Sequence, residues 1–186
     1  MTCEERDRLL LADDEALLRQ CRFSACKSSG RGGQKVNKTS SAVRILHLAT
    51  GLDAECAEER SQFANRRIAL KKLRLRMALT LRADDSPPFS VEPVPSSRNP
   101  ERRLPWLARV CDALARAGWD VSAAARSFGL HPGKLERILK RDPALWRFAC
   151  ESAAKRADAC RARTEIGEEE ERAEESGGAE RRKAQA

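Results

Sequence analysis

The residues best placed to do chemistry lie in one stretch, Ser28-Ser29-Gly30-Arg31-Gly32-Gly33-Gln34-Lys35-Val36-Asn37-Lys38-Thr39. Three glycines and a glutamine sit among the cations Lys27, Arg31, Lys35 and Lys38, with no acid between Arg22 and Arg44. Gly30, Gly32 and Gly33 allow φ > 0 and close backbone approach, and no side chain more apolar than Val36 is present to pack the stretch down. Such a loop projects, and its charge selects phosphate. Gln34 is the polar group at its tip. From these residues alone two uses stay open: an RNA-contacting loop without chemistry, or a loop whose tip acts on a substrate. No nucleophile–base pair competes with it, because Ser40 and His47 lie on adjoining strand pieces without a third partner. The seven cysteines, Cys3, Cys21, Cys26, Cys56, Cys111, Cys150 and Cys160, form no CxxC pair, and His47 and His131 are the only histidines. Neither a metal site nor a cofactor is expected.

The register continues past the loop. The run SSGRGGQKVNKTSSAVRILHLATG, followed by Cys56, Arg60-Ser61-Gln62, Asn65 and Leu73, resembles the catalytic domain of class I peptide chain release factors. That family carries GGQ on a loop, Asn three residues later, a strand of the SAVR type, an H-x-x-T-G turn and an R-S-Q helix start. The resemblance spans Arg22 to Met77. It implies a loop inserted into the ribosomal peptidyl-transferase centre, where water attacks the ester joining peptide to tRNA. By that resemblance Gly32, Gly33 and Gln34 are the catalytic residues. The backbone N–H of Gln34 stabilises the oxyanion and its side chain places water. Gly30 and Asn37 support the loop, while Lys27, Arg31, Lys35 and Lys38 meet rRNA phosphate. Gln34 is also a candidate for N5-methylation by a Gln methyltransferase. The implied partners are large-subunit rRNA and peptidyl-tRNA, with the protein acting as a monomer.

The loop must be held by flanking elements. Residues 1–20 read as a short helix that Asp13 or Asp14 can cap, and Cys21–Cys26 as a strand leading into the loop. Ser41–Leu48 returns as a second strand in which Val43, Ile45 and His47 alternate with Ala42, Arg44 and Leu46. Thr50-Gly51 turns into a third strand, Leu52–Cys56. Glu58–Leu81 reads as a long helix with Phe63, Ile68, Leu70, Leu73, Leu75 and Met77 inward, and Arg66, Arg67, Lys71, Lys72, Arg74 and Arg76 outward. Arg66, Arg67, Lys71 and Lys72 are assigned to RNA backbone; a merely solvated face is the bland alternative.

Residues 83–104 hold five of the eight prolines and read as a semi-extended linker. A small helical domain over 105–163 follows, starting at Pro105. Within it, DVSAAARSFGLHPGKLERILKR resembles the helix-turn-helix modules of bacterial DNA-binding proteins, with small alanines at the crossing and Gly129 in the turn. Leu114, Val121, Ala124, Phe128, Leu130, Leu135, Ile138 and Leu139 supply its core, and Asp142-Pro143 opens a further helix. This domain has two readings. It holds rRNA or another ribosomal surface through Lys134–Arg141 and Lys155–Arg163, or it selects duplex DNA with Lys134 and Arg137 on base edges. Residues 164–186 are acidic and expected to be disordered.

The fold class is therefore α+β: a GGQ domain over 1–82, a small sheet with a packed helix and projecting loop, then the linker, the all-α domain and the tail. The net charge of +8 is uneven, with 17 basic and 10 acidic residues over 1–82, 15 and 10 over 83–163, and 4 and 8 over 164–186. Basic bodies point to a polyanionic partner. The start lacks a secretory pattern, and no apolar run reaches membrane-spanning length. Reduced thiols fit the cytoplasm. Twenty-odd residues ahead of the GGQ domain leave no room for a stop-codon-reading domain, so the expected activity is codon-independent, as in ribosome-rescue hydrolases. Those relatives place a Lys/Arg-rich tail after the domain, whereas this tail is net acidic. The alternative is a non-catalytic ribosome- or nucleic-acid-binding factor that uses the basic GGQ domain and the helix-turn-helix.

Overall fold

A computed structural model describes residues 1–26 and 42–161, apart from 86, 89 and 97. The class is α+β, with a three-stranded antiparallel sheet and seven helices among the described residues. The chain divides into two compact units, Met1–Ala113 and Leu114–Ala186.

In the first unit, α1 (Cys3–Leu11) opens on a capping box: Thr2 Oγ1 accepts from Glu5 N, and a Glu5 carboxylate oxygen accepts from Thr2 N at 2.8 Å. The expected single helix over 1–20 is thus two, with α2 (Asp14–Arg19) following Asp13, whose side chain makes no cap bond. Strands β1 (Cys21–Cys26), β2 (Ala42–His47) and β3 (Asp53–Cys56) pair in that order. Phe23 faces Ile45, and Val43 faces Cys56. Val43, Ile45 and His47 are buried while Arg44 is exposed, the period-2 pattern of a strand with one covered face.

The covering helix is α3 (Gln62–Thr80), whose Ala69, Leu70, Leu73 and Met77 are buried. It starts four residues later than its apolar pattern suggests. The buried side chain of Asn65 takes hydrogen bonds from Glu59 N at 2.8 Å and Cys56 Sγ at 3.3 Å, and gives one to Glu59 O at 2.8 Å. Residues 56–60 are thereby held as a loop, and the Ser61 side chain caps the helix. Phe63, assigned inward from its spacing, is 70 % exposed. Ile68 and Leu75 are only half-buried.

Residues 83–104 are not a free spacer. Ala83, Val91 and Leu104 are buried, and Val91 O accepts from the Trp106 indole at 3.1 Å. Helix α4 (Pro100–Arg116) begins five residues before Pro105, with Asn99 Oδ1 accepting from Arg102 N. Its first part carries Leu107, Ala108, Val110 and Cys111 into the core of the first unit. There Asp112 accepts from Arg6 at 2.6 Å, Arg82 at 3.3 Å and Ala83 N at 3.3 Å, so α1, the segment that follows α3, and α4 share one buried ionic cluster. The division between units falls inside α4, after Ala113, later than the boundary at 104 read from composition.

In the second unit, Asp120 caps α5 (Val121–Ser127), accepting from Ser122 N at 2.8 Å. Gly129 has φ +63, and Leu130 N returns to Ala125 O at 2.9 Å, closing the helix end. Helix α6 (Pro132–Leu139) follows, with His131 at its N-cap and Pro132 in the first turn. The last described helix, α7, spans 143–161 and is capped by Asp142, which accepts from Ala144 N and Leu145 N. Ala124, Ala125, Leu135, Ile138, Leu139 and Leu145 form the core, while Val121, Phe128 and Leu130 are half-buried. The 164–186 segment lies outside the described residues. No helix among the described residues is long and apolar enough to cross a membrane.

Candidate nucleic-acid interface

Lys27, Gly30, Arg31, Gly32, Gly33, Gln34, Lys35, Asn37, Lys38 and Ser40 lie outside the described residues. What is described is their mounting. β1 ends at Cys26, β2 begins at Ala42, and these two residues are paired partners. The ladder therefore delivers both ends of the 27–41 segment side by side at one end of the sheet. His47 locks the opposite end of β2. Its Nδ1 lies 2.9 Å from Thr50 Oγ1 and takes a bond from Thr50 N at 3.3 Å, leaving Nε2 to face Gln20 Oε1 at 3.3 Å. Gly51, at φ +69, supplies the left-handed turn residue, and its N–H bonds His47 O. Burial holds the His47 pKa below its ordinary value. Both ring nitrogens are thus engaged in holding the turn at the end of β2.

The helix face assigned to RNA separates into two groups. Lys72 is occupied: its ammonium lies 2.5 Å from Glu58 Oε1, and that bond raises its pKa. Arg76 and Arg44 share Asp53, and Arg74 binds Asp14 and the Ala12 carbonyl. Arg67 and Lys71 are exposed, one turn apart, and carry no ion pair among the described residues. Arg66 is exposed and stands over the Phe23 ring at 5.7 Å from its centroid. Phe23 is itself 43 % exposed, and Phe63 precedes Arg66 and Arg67 by one helical turn. The surface is thus a cationic face interleaved with two aromatic rings. Sequence spacing missed this because it assigned Phe63 to the core.

The cysteines are dispersed. Cys3, Cys56 and Cys111 are buried, Cys21 is half-buried, and Cys150 and Cys160 are exposed on α7. Burial pushes the Cys111 thiol up to about 12, which keeps it protonated and unreactive.

Residues 17–89, which include the paired strands β1 and β2 and helix α3, match the family model described as the RF-1 domain. Over that region the chain is about half identical to release factors. It is 57 % identical over 56 residues to the mitochondrial peptide chain release factor 1-like protein of Rattus norvegicus, covering 30 % of this chain and 15 % of that protein. It is 51 % identical over 65 residues to peptide chain release factor 1 of Lachnoclostridium phytofermentans (35 % and 18 %). Against peptide chain release factor 2 of Thermomicrobium roseum it is 48 % identical over 71 residues (37 % and 19 %). The chain thus spans less than a fifth of the length of these relatives.

Proposed function

We propose that this protein hydrolyses the peptidyl-tRNA ester on the ribosome without reading a codon, in translational release or in rescue of stalled ribosomes. The observation that carries the reading is the intact Gly32-Gly33-Gln34 tripeptide between two paired strand ends of an RF-1 domain. In this reading Gln34 N–H donates to the oxyanion as water attacks the ester carbonyl, and the Gln34 side chain orients that water. One such donor lowers the barrier by about 3–4 kcal/mol, and placing the water adds an entropic gain. Arg66, Arg67 and Lys71 hold rRNA phosphate, together with Lys27, Arg31, Lys35 and Lys38. Gln34 is the proposed substrate of a Gln methyltransferase, and the acting species is a monomer in the cytoplasm. Arg6 on α1 and Asp112 on α4 join these helices to the core that carries the sheet.

The test is peptide release from purified ribosome complexes carrying a stop codon, a sense codon or no mRNA. Wild type is expected to release peptide from all three, and Gln34→Ala from none at a comparable rate. Release confined to the stop-codon complex refutes codon independence. A second reading, a ribosome-binding factor without catalysis, is favoured by the Phe23–Arg66 surface. It predicts binding to all three complexes with no release above background.

A further inference from the structure

The second unit has a built feature that ester hydrolysis does not use. Helices α5 and α6 pack on each other across a four-residue connection, Phe128 to His131, the length and glycine content of a helix-turn-helix. Ala124 and Ala125 on α5 are fully buried, and side chains this small let packed helices approach closely. Gly129 supplies the left-handed residue that lets the chain reverse. On α6, Leu135, Ile138 and Leu139 are buried, Arg137 is exposed on the opposite side, Lys134 is exposed at the flank of the buried face, and the acid Glu136 is paired with Lys140 at 2.6 Å. Arg126 on α5 and Arg141 just past α6 are exposed as well. Two cations of α7 are engaged within the unit. The Arg156 guanidinium lies against the Gly118 turn, and Arg161 pairs with Asp158 at 2.6 Å.

We propose that the second unit binds double-stranded DNA sequence-selectively, with α6 in the major groove, Lys134 and Arg137 on base edges, and Arg126 and Arg141 on phosphates. With Glu136 paired to Lys140, the exposed cations Lys134 and Arg137 together with Arg126 and Arg141 point to a polyanion as occupant, and groove shape selects which one. The B-form major groove admits a helix, whereas the A-form RNA major groove is deep and too narrow for side chains to read. In a helix-turn-helix the second helix lies in that groove with its N-terminal residues on the bases, which is where Lys134 stands.

The experiment uses the full-length protein, because the first unit's cations contribute non-specific binding to any duplex. A random-sequence DNA duplex library is selected against the protein with excess non-specific duplex present, and the enriched sequence is compared with a scrambled one. One motif is expected to enrich. Arg137→Ala should weaken binding to it by roughly 5- to 150-fold while changing affinity for the scrambled duplex by only about twofold. Arg137→Lys should retain the scrambled affinity and still lose preference for the motif, since the ammonium lacks the planar fork that fixes a guanidinium on a base edge. Peptide release by both variants should equal that of wild type, so failure of this proposal and of the hydrolase reading are separable. No enriched motif, equal loss on both duplexes, or equal competition by an RNA duplex of the same sequence would overturn it.

Discussion

Asp112→Ala is the substitution whose cost the geometry sets most directly. Asp112 is 2 % exposed and accepts from Arg6 at 2.6 Å, Arg82 at 3.3 Å and Ala83 N at 3.3 Å. Arg6 is 0 % exposed, and Asp7 stands 3.9 Å from its Nε, beyond hydrogen-bond range. Removing the Asp112 carboxylate leaves a buried guanidinium without a hydrogen-bonded counterion, at a cost of about 3–5 kcal/mol; the nearby Asp7 charge holds the value to the lower half. Asp112→Asn keeps an acceptor oxygen for Ala83 N and should cost less, about 1.5–3 kcal/mol. Arg6→Met with Asp112→Leu removes both ions together and should recover most of the loss. The assay is urea unfolding followed by Trp106 fluorescence, with Trp119 and Trp146 replaced by Phe so that only the first unit reports. With a slope of about 1–3 kcal/mol per molar urea, the Asp112→Ala midpoint should fall by about 1–4 M. A midpoint within about 0.3 M of the parent, or a double variant no more stable than Asp112→Ala, would refute the reasoning. The same cluster decides where the chain can be cut: ending it at Arg103, the end of the apparent linker, deletes Asp112, Leu107 and Cys111 and should destabilise the first unit, whereas ending it at Arg116 should not.

Gly33→Ala is expected to abolish peptide release while leaving ribosome binding and the unfolding midpoint nearly intact, because the proposed mechanism needs backbone freedom that a Cβ removes; wild-type release by this variant refutes the assignment. Replacing Arg66, Arg67 and Lys71 together should flatten the slope of log affinity for ribosomes against log salt by about 2–3, with little further change on adding Lys72→Ala, since that ammonium already serves Glu58. His47 carries a lowered folded pKa through burial, so the unfolded chain binds the extra proton first. Its contribution is complete above the unfolded value near 6.5 and is lost as pH falls through that value towards the lower folded one. Urea midpoints across that window should therefore fall in wild type and fall less in His47→Gln.

Period and punctuation in the sequence determined the local elements. Alternation named the buried face of β2 at Val43, Ile45 and His47, Asp120 and Asp142 marked helix starts, and Gly129 marked the turn before α6. These are decided within a few residues, by the pleat, by orphan N–H groups and by the cost of φ > 0. The GGQ register was equally legible, because its chemistry sits in contiguous residue types. What the sequence could not determine was which distant group each side chain meets. Periodicity reports that a face is covered and not by what, so Phe63 was placed inside although it stands in solvent beside a cationic face. Prolines disfavour helix but do not forbid docking, so the 83–104 stretch read as a spacer although Val91 lies under Trp106. A long-range ion pair leaves no local trace: Arg6 and Asp112 are 106 residues apart, each reading as one more surface charge until the fold encloses both. The tertiary structure alone decided that the start of α4 belongs with the three-stranded sheet, because only there does burial bring one carboxylate to two arginines.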